Sequence, residues 1–111
     1  MTIRQLLTHT SGLRPDVSLK PDWTGYDKAI ALACEETLQS APGTAFRYSD
    51  INLFLAGELV RRISGQPLNE FAEAEIYRPL RMRDTRFLPP AGWRSRIAPT
   101  EPADGTMLRG V

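Results

Sequence analysis

The segment between Ser49 and Gly65 constrains the fold most. Ile51, Phe54, Leu55, Leu59 and Ile63 recur at the spacing of one helix face. Ser49 stands where a helix N-cap belongs, and Asp50 falls in the first turn, where the helix dipole favours an anion. Arg61 and Arg62 sit near the other end, and Gly65 follows as a left-handed stop. A helix over 50–64 is predicted, with Ser49 as its cap and an apolar stripe that must be covered.

Shorter segments supply the cover. Thr2 and Gln5 have capping-box spacing, and Ile3, Leu6 and Leu7 share a face, so the chain opens in a short helix that ends near His9, before Ser11-Gly12. A start inside a helix gives the chain the look of a cut piece. Residues 12–25 hold two prolines and two glycines and read as a loop anchored by Trp23. From Tyr26 to Leu38, the set Ile30, Ala33, Cys34, Thr37 and Leu38 predicts a second amphipathic helix, broken by Ser40-Ala41-Pro42-Gly43. Pro67 opens a further helix with Leu68, Phe71, Ala72 and Ile76 on one side, and Pro79 ends it. Beyond Leu80, four more prolines leave only short extended possibilities at 85–88 and 96–98. The expectation is one partial domain over 1–111, helical to about residue 80 and irregular over 81–111.

Composition narrows the partners. A formal net charge of +1 over 111 residues argues against a basic nucleic-acid surface. Twelve arginines, against only Lys20 and Lys28, are spread among acids and read as a solvated surface. The lone Cys34 excludes an intramolecular disulfide, and its place in a helix stripe predicts a small buried hydrophobe. His9 and Cys34 are too few for a zinc site, and there is no Gly-rich phosphate loop, so no metal or cofactor is expected. No leader-like start and no window approaching the ~18 apolar residues of a membrane span occurs.

The candidate site is the turn Pro42-Gly43-Thr44-Ala45-Phe46-Arg47-Tyr48-Ser49-Asp50. Residues two apart in an extended segment project to one side, so Tyr48 and Asp50 present together while Ser49 turns back to cap the helix. A phenol accepts a proton near neutral pH only with a cation beside it. Taken alone, a half-buried Tyr48 and a first-turn Asp50 are the plainer account of these residues.

A set of blocks changes that weighting. Leu6-Leu7-Thr8-His9-Thr10-Ser11-Gly12-Leu13, Pro42-Gly43 with Phe46, Tyr48-Ser49-Asp50, Ser64-Gly65, and Pro79-Leu80 with Met82 and Thr85 occur in this order. Together they resemble the serine β-lactamase and penicillin-binding-protein-like superfamily, most closely the branch of class C β-lactamases, D-amino-acid peptidases and esterases. The resemblance implies a mainly α chain, the helical subdomain of a β-lactamase-like α/β fold without its sheet. It implies acyl transfer to a serine from an ester or amide substrate, with Tyr48 in proton transfer and Asp50 at the substrate edge. Of the three motifs in such enzymes, this chain holds the second alone: Ser11, Ser18, Ser40, Ser49, Ser64 and Ser95 are each followed at the third place by something other than Lys, and Lys-Thr-Gly is absent. The expectation is an internal piece of a larger serine hydrolase, inactive alone; the alternative is a free-standing helical binding module.

Two departures matter. Asp50 replaces the usual Asn and only accepts hydrogen bonds, which favours an ester or another amide over a β-lactam. Arg81 replaces a common Gly and bears on the local turn. His9 and Ser11, two apart with no third orienting group, belong to a block that is structural in such proteins. Helices lacking their sheet are expected to leave Ile3, Leu7, Phe54 or Leu59 in an exposed apolar patch.

Overall fold

The structure is a computed structural model that describes residues 1–110. It forms two compact units, Met1–Leu68 and Asn69–Val111.

In the first unit, α1 (Ile3–Leu7) opens with both halves of the capping box: the Gln5 amide donates to the Thr2 hydroxyl and the Thr2 amide to the Gln5 side chain. A loop carries the chain to α2 (Tyr26–Glu35), and α3 (Asp50–Ser64) packs against both α1 and α2. Leu6, Leu13, Val17, Ala33 and Ile51 form the core, with Trp23, Leu32, Leu55 and Leu59 packed on its edge. Burying a Leu, Val or Ile side chain contributes ~1.5–3 kcal/mol, so the first turn of α3 and the loop hold the unit as much as α1 and α2 do. Trp23 anchors the loop as expected, its indole N–H donating to the Ser18 carbonyl at 2.7 Å.

Several expectations are corrected. The second helix stops at Glu35, short of Leu38, because the Gln39 amide leaves it to donate to the Gly12 carbonyl at 2.7 Å. Gly12 permits this crossing: its φ is +86°, and a Cβ there would lie 2.1 Å from the Ser40 carbonyl oxygen. Cys34 is exposed, because Ile30 and Ala33 carry the burial while Cys34 faces an open groove beside Met1, Ile3 and Leu6. On α3 the buried face runs through Ile51, Asn52 and Glu58; Phe54 is exposed and Ile63 is 77% exposed, because the last turn extends beyond the core. Ser49 occupies the N-cap position, yet its hydroxyl donates to the Arg14 carbonyl at 2.6 Å instead of accepting from the helix. Ile3, Leu7 and Phe54 are exposed as expected, and Leu59 is partly covered.

Glu58 is the buried charge of this unit. Arg61 holds it at 2.7 and 2.8 Å, Arg62 at 2.6 Å and the Tyr26 hydroxyl at 2.8 Å, so the carboxylate ties the start of α2 to the middle of α3. These donors, Arg61 first, depress its pKa to about 2.

The second unit begins within α4 (Leu68–Ala72), which is followed by a wider π turn (Glu73–Tyr77). Arg81 closes the following turn at φ +57°, the left-handed region that favours glycine. A short 3-10 helix (Ala91–Arg96) precedes a hairpin of β1 (Pro102–Ala103) and β2 (Thr106–Met107). The 85–88 and 96–98 segments are not strands, while the hairpin turns on Asp104-Gly105, both at positive φ, a pairing suited to tight hairpins. No helix among the described residues is long and apolar enough to cross a membrane.

Candidate active site

The Tyr48 turn is built by stitching residues 42–50 to residues 9–15. The Gly43 amide donates to the Thr10 carbonyl at 2.7 Å, and the Asp50 amide to the Pro15 carbonyl at 2.7 Å. Between these, His9 grips both neighbours of the tyrosine: the Arg47 amide donates to the His9 carbonyl at 2.8 Å and the Ser49 amide to His9 Nδ1 at 3.2 Å. The imidazole lies against the Tyr48 ring, centroids 4.7 Å apart, with Phe46 edge-on at 6.2 Å. His9 reaches this position by adopting φ +53° just past α1.

A second ring of polar groups holds His9. The Asn52 amide nitrogen lies 3.1 Å from Nδ1, and Ser11 Oγ donates to Asn52 Oδ1 at 2.6 Å while accepting from the Leu13 amide at 3.1 Å. Nδ1 therefore faces two N–H groups and must accept, which puts the imidazole proton on Nε2. Asn52 and Ser49 are wholly buried and Ser11 nearly so, and no buried side-chain polar atom among the described residues lacks a partner. His9 and Ser11 are thus brought into one network with Tyr48, as supports rather than as a nucleophile and base.

Tyr48 and Asp50 present together as the sequence predicts. The Tyr48 hydroxyl donates to Asp50 Oδ1 at 2.9 Å, and Tyr48 is 57% exposed rather than half-buried. The hydrogen bond to Asp50, then its negative charge, then partial desolvation raise the phenol pKa above its usual value. In this state the phenol is a proton donor. No group of His, Cys, Asp and Glu able to hold a metal occurs among the described residues.

The reading of the sequence did not find Asn52 or Glu58. Both were detectable as polar residues at helical spacing from Ile51 and Leu55, on the face that had to be buried.

Comparison with known proteins places the chain. It is 34% identical over 91 residues to an N-acetylmuramyl-L-alanine amidase of Bacillus subtilis, covering 76% of this chain and 21% of that protein. It is 34% identical over 103 residues to the esterase EstB of Burkholderia gladioli, covering 79% of this chain and 26% of the esterase. Its structure is similar to that of a D-amino acid amidase from Ochrobactrum anthropi, with a TM-score of 0.59 and 29% identity over 79% of this chain and 26% of the amidase. The chain thus spans about a fifth to a quarter of these relatives. The profile of the family described as Beta-lactamase matches residues 1–110, the whole described chain, and this chain belongs to that family.

Proposed function

We propose that this chain is the tyrosine-bearing helical portion of an acyl-serine hydrolase that acts on an ester or amide, with Tyr48 in the proton relay and Asp50 at the substrate edge. The observation that carries the reading is the mounting of Tyr48: an exposed phenol whose neighbours on both sides are bonded to His9 and whose hydroxyl is aimed by Asp50. Proton transfer rewards that fixity, because a positioned acid or base contributes roughly 10²–10⁴-fold. Kinship with two amidases and an esterase supports a carbonyl substrate with a nitrogen or oxygen leaving group.

The electrostatics define what the chain still needs. With Asp50 raising its pKa, Tyr48 stays protonated at neutral pH and accepts a serine proton only when a cation offsets the carboxylate. Such a cation is what a Ser-x-x-Lys motif supplies, and the 111 residues contain none. The chain alone is therefore expected to turn over neither a chromogenic ester nor a chromogenic cephalosporin.

The test puts residues 3–85 of this chain in place of the matching stretch of the Burkholderia esterase and follows hydrolysis of a chromogenic ester. The chimera should hydrolyse it, and Tyr48→Phe should lower kcat about a hundredfold or more with an unchanged melting temperature. Full activity in the Phe chimera would sink the Tyr48 assignment, and turnover by the isolated chain would sink its dependence on a Ser-x-x-Lys cation.

A further inference from the structure

The turn after α4 is wound tightly in the second unit. The Met82 amide donates to the Tyr77 carbonyl at 2.8 Å, Arg81 to Arg78 at 3.0 Å, Arg83 to Arg81 at 2.9 Å and Thr85 to Met82 at 3.2 Å. The winding gathers four arginines that look scattered in sequence, Arg78, Arg81, Arg83 and Arg86, around one pocket of about 310 Å³. Glu73 is the single carboxylate in its wall, and it stands 4.0 Å from Arg78, whose side chain is largely in solvent while that of Glu73 is about half exposed. Asp84, the other acid of the turn, is drawn off by Arg96 at 2.9 Å. Arg86 leans over the Trp93 ring at 5.8 Å, and among the described residues Arg81 and Arg83 make no ion pair.

Four guanidinium groups against one carboxylate raise a positive potential in a concave wall, where field lines are focused and a counter-anion relieves mutual repulsion. The planar, forked donors of arginine match clustered anionic oxygens, and Tyr77 and Thr85 line the same pocket. Arg81 makes the arrangement unusual, since its left-handed backbone suits glycine and a side chain there costs ~1 kcal/mol. We propose that this pocket binds a phosphate-class anion, a group carrying negative charge on clustered phosphoryl oxygens, through Arg78, Arg81, Arg83 and Arg86. This stands independently of the Tyr48 assignment.

Two arms separate the sources of such a group. Inorganic pyrophosphate is titrated into the full 111-residue chain by calorimetry in low-salt buffer, and the chain is sedimented with phosphatidylcholine vesicles with or without phosphatidylglycerol. Arg81→Gly removes a charge while giving the backbone its preferred residue, so loss of folding does not confound it, and a melting curve checks this. Arg83→Gln is the second variant, and Arg4→Gln, at an exposed position of α1, is the control for net charge. Each pocket variant should weaken binding about fivefold or more, with Arg4→Gln within about twofold. Saturable pyrophosphate binding assigns a free phosphate compound, and binding to phosphatidylglycerol vesicles alone assigns a lipid headgroup; either supports the pocket when the two variants lose it. Absence of binding in both arms, or equal loss in all three variants, overturns it.

Discussion

Asn52→Ala tests whether the buried network, rather than the apolar core alone, holds the Tyr48 turn. Asn52 joins Ser11 at 2.6 Å to His9 at 3.1 Å, and both Asn52 and Ser11 are sealed from water. Truncation leaves the Ser11 hydroxyl proton without an acceptor and removes one of two N–H groups aimed at His9 Nδ1. A stranded buried polar group costs ~1–3 kcal/mol and a lost hydrogen bond ~1 kcal/mol, which together predict a loss of ~2–4 kcal/mol. That is a large share of the ~5–15 kcal/mol that stabilises an ordinary domain. Ser11→Ala should cost ~2–3 kcal/mol, because it strands Asn52 Oδ1 and the Leu13 amide. In the double variant the hydroxyl and the carboxamide are gone together, so the combined loss should fall short of the sum by ~1–2 kcal/mol. Urea unfolding followed by far-UV circular dichroism measures all three. Additivity within ~0.5 kcal/mol, or an Asn52→Ala loss under ~1 kcal/mol, would refute the network as the element that holds the turn.

Four other outcomes are expected. Gly12→Ala should destabilise by ~3 kcal/mol or more, since it combines a left-handed φ with a Cβ driven into the Ser40 carbonyl; a melting temperature near the parent's would show that the crossing can open. Glu58 is held at about 2 against 4.5 for a free carboxyl, so its stabilisation is complete above about pH 4.5 and is lost as pH falls from there towards 2; Glu58→Gln should flatten the melting-temperature profile across that window, and an unchanged slope would count against it. Asp50→Asn should bring the Tyr48 titration midpoint down, read by NMR of the labelled phenol carbon, and an unmoved midpoint would remove Asp50 as the cause of the raised pKa. Exposed Cys34 should react with iodoacetamide in the dilute native chain, and a thiol that reacts only after unfolding would mean that its groove is covered.

Local signals carried much of the fold. Thr2 with Gln5 and Gly65 after Ser64 each engage atoms within a few residues, and each appears where the spacing places it. Contacts across the chain decided what periodicity alone did not. Leu38 loses its helix because Gln39 is claimed by Gly12, and Ser49 turns from capping α3 to binding the Arg14 carbonyl, 35 positions away. Ile63 satisfies the apolar spacing but lies past the end of what α1 and α2 cover, whereas Glu58 is buried because three donors converge on it. The four arginines of the second unit likewise look like a solvated scatter until the turn at Arg81 winds them together.

The same distinction explains the site. Adjacency in sequence suffices to bring Tyr48 and Asp50 to one side of an extended segment, and the 2.9 Å hydrogen bond follows from it. What makes the pair a mounted group rather than a surface contact is His9, which takes the amide on either side of Tyr48 and lays its ring on the phenol. The Leu-Thr-His-Thr-Ser-Gly-Leu block thus acts as a mount: His9 holds the Tyr48 turn, Asn52, tied to Ser11, holds His9, and Gly12 admits the close approach of the Ser40 carbonyl. Substitutions at these supports should therefore shift the Tyr48 ring environment before they unfold the unit, and this separates a positioning network from a merely packed one.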